Sequence, residues 1–101
     1  MIICNITTLV SWKVRDRWLT WMRDTHLPAM MATGCFTHYR IVQVLEIPED
    51  EGPTYAVQLF TEHFSTVERF RRLYQPGFEN EERATWGDSA YSFRSIMEVI
   101  N

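Results

Sequence analysis

The stretch IICNITTLVSWKVRDRWLTWMRDTHLP, Ile2 to Pro28, decides the fold, because its hydrophobic period changes from two to 3.6 partway along. From residue 2 to 9, Ile2, Cys4 and Ile6 alternate with Ile3, Asn5, Thr7 and Leu9 in a run rich in β-branched side chains, the mark of a strand. Ser11 can cap a following helix. In it Val14, Trp18, Trp21, Met22, Thr25 and Ala29 share an arc of about 100°, with Lys13, Asp16, Arg17, Thr20, Arg23 and Asp24 opposite. A strand feeding a helix with one apolar stripe predicts a helix lying on a sheet. Pro28 has no N–H for the Asp24 carbonyl and crowds it, which predicts a kink or restart, and Gly34 offers a left-handed exit.

Working outward, Cys35 to Ile47 reads as one long, bent extended run, followed by the loop PEDEGP and a third strand at Thr54–Thr61. Ser65-Thr66-Val67-Glu68 has the spacing of a capping box. It opens a second helix through Val67, Phe70, Tyr74 and Phe78, broken at Pro76-Gly77 and ending near Trp86-Gly87. Ala90 to Ile100 alternates as the last strand, with Tyr91, Phe93, Met97 and Val99 on one face. The order strand, helix, strand, strand, helix, strand with right-handed crossovers predicts an α+β, ferredoxin-like βαββαβ fold. Its four-stranded antiparallel sheet has the order 4-1-3-2, both helices lie on one face, and residues 1–101 form a single domain.

A chain of 101 residues buries only roughly 65% of the surface its unfolded form exposes, so every apolar face counts. The net charge of −3 supplies no basic field for a phosphate backbone, and nucleic acid is not an expected partner. RNA-binding domains share this strand order, but they need stacking aromatics where the central strands here carry Asn5, Thr7 and Gln58. Two cysteines without CxxC spacing, no basic leader and no membrane-length apolar run predict a cytoplasmic protein with reduced thiols and no membrane partner. His26, His38 and His63 have no metal-ligand spacing, and no glycine-rich phosphate loop occurs, so neither metal nor cofactor is expected.

If Cys4, Val57, Leu59 and Phe93 point to the helices, alternation puts Ile3, Asn5, Thr7, Leu9, Ala56, Gln58, Phe60, Ser92, Arg94 and Ile96 on the other face. That face is half apolar, which predicts that a second copy covers it to make a dimeric α+β barrel. Arg94 would then need a partner, and Glu98 lies about 13 Å along the strand. Asn5, Gln58 and Arg94 form either a satisfied structural network or a site for a small organic or anionic ligand. His26 falls about 90° from the centre of the helix stripe, at the rim. It either donates to a carbonyl freed by Pro28 or serves as a general base or ligand contact.

The segments NITTLV, WLTWMRDTHLPAMMATGCFT, YAVQLFT and SFRSIMEVIN resemble a family of short single-domain bacterial proteins, a domain of unknown function of the dimeric α+β barrel class. The resemblance spans nearly the whole chain and includes Asn5, Trp18, Trp21, Met22, His26, Pro28, Gly34, Gln58 and Arg94. It implies a homodimer. The wider class includes cofactor-free monooxygenases, haem-using enzymes, muconolactone-type isomerases and small-molecule sensors. The expected function is small-molecule binding through Asn5, His26, Gln58 and Arg94. The alternatives are a cofactor-independent monooxygenase- or isomerase-like enzyme using His26, and a purely structural dimer.

Overall fold

The computed structural model describes residues 1–101. Strand β1 (Ile2–Val10) leads through a short 3-10 turn, Trp12–Val14, into α1 (Arg15–Trp21), a π-helical turn over Met22–His26 and α2 (Leu27–Met31). Then come β2 (His38–Gln43), β3 (Thr54–Thr61), α3 (Phe64–Leu73), α4 (Gln75–Trp86) and β4 (Ala90–Glu98). The sheet is antiparallel with order β2-β3-β1-β4, the ferredoxin-like order read from the sequence. Ile2, Cys4, Ile6 and Val10 join Tyr55, Val57 and Leu59 against Trp18, Met22, Leu27, Met30, Val67 and Phe70 in the core between sheet and helices.

The π turn is the chain's answer to Pro28. Leu27 N–H donates to the Met22 carbonyl, five residues back instead of four, so the turn holds one more residue than an α-helical one. Everything after it is rotated by one position, about 100°. The stripe expected to run through Thr25 and Ala29 runs instead through His26 and Met30, with Leu27 beside them, while Thr25 and Ala29 are exposed. His26 therefore lies in the core and not at the rim.

Four other sequence readings are corrected. The helix-facing side of β4 is the reverse of that expected: Ile6 pairs with Arg94 and Cys4 with Ile96, which puts Ser92, Arg94 and Ile96 toward the helices, while Phe93 faces away. Partners on α4 make that tolerable, as Glu79 and Glu82 meet Arg94 and Ser92. The capping box does not form, because α3 starts two residues earlier than Ser65 as the cap would place it, at Phe64, with His63 at the cap and no side-chain capping bond. The extended run at 35–47 narrows to β2, and β4 ends at Glu98.

The loop between β2 and β3 is pinned onto the end of β1. Val10 N–H donates to the Pro53 carbonyl at 3.0 Å, Trp12 N–H to that of Glu51 at 3.3 Å, and the Trp12 indole to that of Glu49 at 2.8 Å. At Gly52, φ is +155° and an added Cβ would sit 1.8 Å from the Val10 carbonyl oxygen, a backbone atom of the central strand. Gly52→Ala is expected to cost roughly 2 kcal/mol in urea unfolding, and an unchanged midpoint would mean that the loop detaches without consequence.

Candidate functional site

The sheet divides the residues that the sequence grouped together. Asn5 and Gln58 lie on the face without helices, in a row that crosses all four strands. Arg40 Nε donates to Gln58 Oε1 at 2.7 Å, Gln58 Nε2 to Asn5 Oδ1 at 3.3 Å, and Asn5 Nδ2 to Thr7 Oγ1 and Ser95 Oγ at 3.0 and 3.2 Å. Arg40 thus takes the place expected of Arg94. Because Asn5 uses its amide both as donor and acceptor within the sheet, it has little capacity left for a ligand.

Arg94 and His26 are on the helix side. Arg94 Nε donates to Glu79 Oε2 at 3.2 Å, while the terminal guanidinium nitrogens make no hydrogen bond within the protein. One α-helical turn along, Glu82 Oε1 accepts from Ser92 Oγ at 2.6 Å, and Ser92 Oγ lies 2.7 Å from the fully buried Thr8 Oγ1. Two residues along β4 and three along α4 are similar distances, about 6.6 and 4.5 Å, so Ser92 and Arg94 meet Glu82 and Glu79 in register. Sequence reasoning missed both glutamates. Their i, i+3 spacing on α4 is a signal only once the inward side of β4 is known.

Between β4 and α4 runs an open groove of about 540 Å³, lined by Glu79, Glu82, Asp88, Ser92, Phe93 and Arg94 among others. A smaller pocket of about 80 Å³ adjoins it where α3 gives way to α4, with Arg71, Gln75 and Arg94 over Cys4, Phe70 and Ile96. Arg94 belongs to both spaces. Burial pushes the Cys4 thiol pKa up, against the opposing pull of the Arg71 and Arg94 charges.

His26 is 1% exposed, stacked on Trp21 at 4.2 Å and edge-on to Phe78 at 5.5 Å, and neither ring nitrogen has a hydrogen-bond partner. It does not donate to a carbonyl freed by Pro28, since the π turn has reorganised that ladder. Burial, and secondarily the positive charge of Arg94, lower its pKa to about 4, so the imidazole is neutral near pH 7. The indole nitrogens of Trp18 and Trp86 are buried without partners as well. No group of three or more His, Cys, Asp or Glu side chains could hold a metal ion, and no helix is long and apolar enough to cross a membrane.

Solved structures with the same fold cover nearly the whole chain at low identity. An ethyl tert-butyl ether d (ethd) family protein from Bacillus halodurans c-125 superposes with TM-score 0.67 at 13% identity, covering 99% of this chain and 100% of its own. SnoaB from Streptomyces nogalater, a cofactor-independent oxygenase solved as a mutant, gives 0.65 at 13%, covering 99% and 94%. A dimeric ferredoxin-like protein of unknown function from Jannaschia sp. CCS1 gives 0.57 at 14%, covering 98% and 100%. No curated protein matches the sequence. Residues 1–100 match the family model described as "Domain of unknown function (DUF4286)".

Proposed function

The chain belongs to the DUF4286 family, a domain of unknown function, and from that premise we propose that it is a single-domain homodimeric α+β barrel that binds a small organic molecule in the cleft between β4 and α4. One observation carries the reading. Arg94 is steered by Glu79 through Nε alone, and its terminal nitrogens are left without protein partners where the groove meets the pocket. The Arg94 side chain is 22% exposed, so these nitrogens face the groove and pocket, where acceptor oxygens of a ligand can replace water in charge-assisted hydrogen bonds. The dimeric neighbour of the same fold supports the second copy, as does the apolar outer side of β4.

Native mass spectrometry of gently purified protein tests both halves. The expected spectrum is a dimer that retains an adduct, and Arg94→Met is expected to lose the adduct while remaining a dimer. A monomer at micromolar concentration, or an adduct indifferent to Arg94, would overturn the proposal. A second reading, cofactor-independent chemistry with His26 as the base, has the neutral and unpartnered imidazole in its favour and requires the ring, 1% exposed and outside the lining of groove and pocket, to be reached by the substrate. SnoaB, described as a cofactor-independent oxygenase, shares the fold and no more than 13% of the sequence. In that reading turnover of the retained molecule disappears when His26 is replaced by phenylalanine.

A further inference from the structure

The pocket at the junction of α3 and α4 differs in charge from the groove that it adjoins. The groove carries Glu79, Glu82 and Asp88 against Arg83 and Arg94, whereas the pocket holds two guanidiniums, Arg71 and Arg94, with the Gln75 amide and no acid of its own. Arg71 makes no ion pair or side-chain hydrogen bond anywhere in the protein; the two ion pairs present are Arg15–Asp16 and Arg94–Glu79. Both arginines line the same small space with the Cys4 thiol, so their charges face it together. The floor itself is apolar, with Leu59, Phe70 and Ile96.

We infer that the pocket takes the carboxylate head of a small monocarboxylic acid, held between Arg71 and the terminal nitrogens of Arg94, with the rest of the molecule lying along the groove beside Phe93. The inference rests on the binding role proposed for the β4–α4 cleft and names its ligand class. Glu79 occupies Nε of Arg94, so the edge formed by the two terminal nitrogens is the one left to offer, and that edge matches the two oxygens of a planar carboxylate. Charge decides the valence of the anion. Two arginines offset by one glutamate leave a single positive charge, which balances a carboxylate and not the near-dianion of a phosphate monoester at pH 7. A pocket of about 80 Å³ has room for a head group but not for a whole metabolite, and the 540 Å³ groove receives the remainder.

The test uses the full chain and three probes of six carbons each: hexanoate, hexanamide and hexyl phosphate. They are titrated while the amide resonances of Gln75 and Ile96 and the Nε–H resonances of Arg71 and Arg94 are followed by NMR. Hexanoate is expected to move these resonances saturably, hexanamide to bind at least tenfold more weakly, and hexyl phosphate to gain nothing over hexanoate. Arg71→Gln, at an exposed position, is expected to weaken hexanoate about tenfold and leave hexanamide and the melting temperature unchanged. Equal binding of hexanoate and hexanamide at these residues would overturn the carboxylate inference and keep the cleft. Preference for hexyl phosphate would overturn the choice of a monoanion. The absence of any response to hexanoate overturns the inference, and the cleft reading falls with it only if the adduct in native mass spectra is also indifferent to Arg94.

Discussion

Lowering the pH from 6.5 toward 4 is expected to cost the protein on the order of 3 kcal/mol through His26 alone. The ring is neutral in the fold because protonation would place a charge in a dry layer between Trp21 and Phe78 with the Arg94 cation nearby. In the unfolded chain the same ring takes a proton near its ordinary pKa of 6.5. Across the window the unfolded state therefore binds more protons than the folded one, and stability falls as the pH falls. The loss begins near 6.5 and is complete below about 4, the lowered pKa, where both states are protonated.

Carboxylates also contribute to acid sensitivity, so the comparison that isolates His26 is with His26→Phe. That variant keeps a flat ring against Trp21, removes two unpartnered nitrogens, and is expected to be as stable as the parent or more so at pH 7. Urea unfolding of both proteins at pH 7, 5.5 and 4.5 should give curves that diverge by roughly 2 kcal/mol at the acid end, with the variant the more stable. Parallel curves would show that the ring is not neutral by burial. The same variant decides the catalytic reading, since turnover that survives in it cannot use His26 as a base.

The parts of the fold that follow from short-range periodicity were legible in the sequence, and those that depend on phase were not. The alternation of Ile2 to Leu9 and of Thr54 to Thr61 and the loop between β2 and β3 stand in local sequence, whereas the break expected at Pro76-Gly77 falls at Tyr74, with Pro76 and Gly77 inside the first turn of α4. His26 was misplaced because a single extra residue in one π turn moves every later side chain by 100°, and nothing in MRDTHLP distinguishes that turn from a kink. Arg94 was misplaced for the analogous reason in a sheet, where a choice of side made at one residue fixes all the others. Hydrophobicity favours Phe93 as the inward residue of β4. Pairing with β1 overrides it, because the cost of turning Ser92 and Arg94 inward is offset by two glutamates about seventy residues away from β1 and ten or more before their partners. The candidate site was consequently half legible: His26 and Arg94 do share a side of the sheet, but Asn5 and Gln58 lie behind it.

That inversion of β4 leads to the largest expected effect. With Ser92 and Arg94 turned inward, the outward side of the strand presents Tyr91 at 69%, Phe93 at 57% and Met97 at 37% exposure, beside a central polar row that is already hydrogen-bonded within the sheet. A second copy placed over this face would bury the row of aromatics without leaving the amides of Asn5 and Gln58 unsatisfied. In a two-fold interface each substitution counts twice. Phe93→Asp removes about 2 kcal/mol of apolar burial per subunit and adds a carboxylate to a dry surface, so the dimer is expected to weaken by at least roughly a thousandfold. Because Phe93 points away from the core, the melting temperature of the resulting monomer should reflect only the lost assembly. Met97→Asp, on the same face but outside the groove, is expected to act alike, and Thr20→Asp on the exposed side of α1 to have no effect. Sedimentation over a concentration series from about 0.1 to about 100 µM reads the shift in the dissociation constant directly. If both β4 variants sediment as the parent does, the outward side of β4 is not the interface, and the groove beside it must be complete within one subunit.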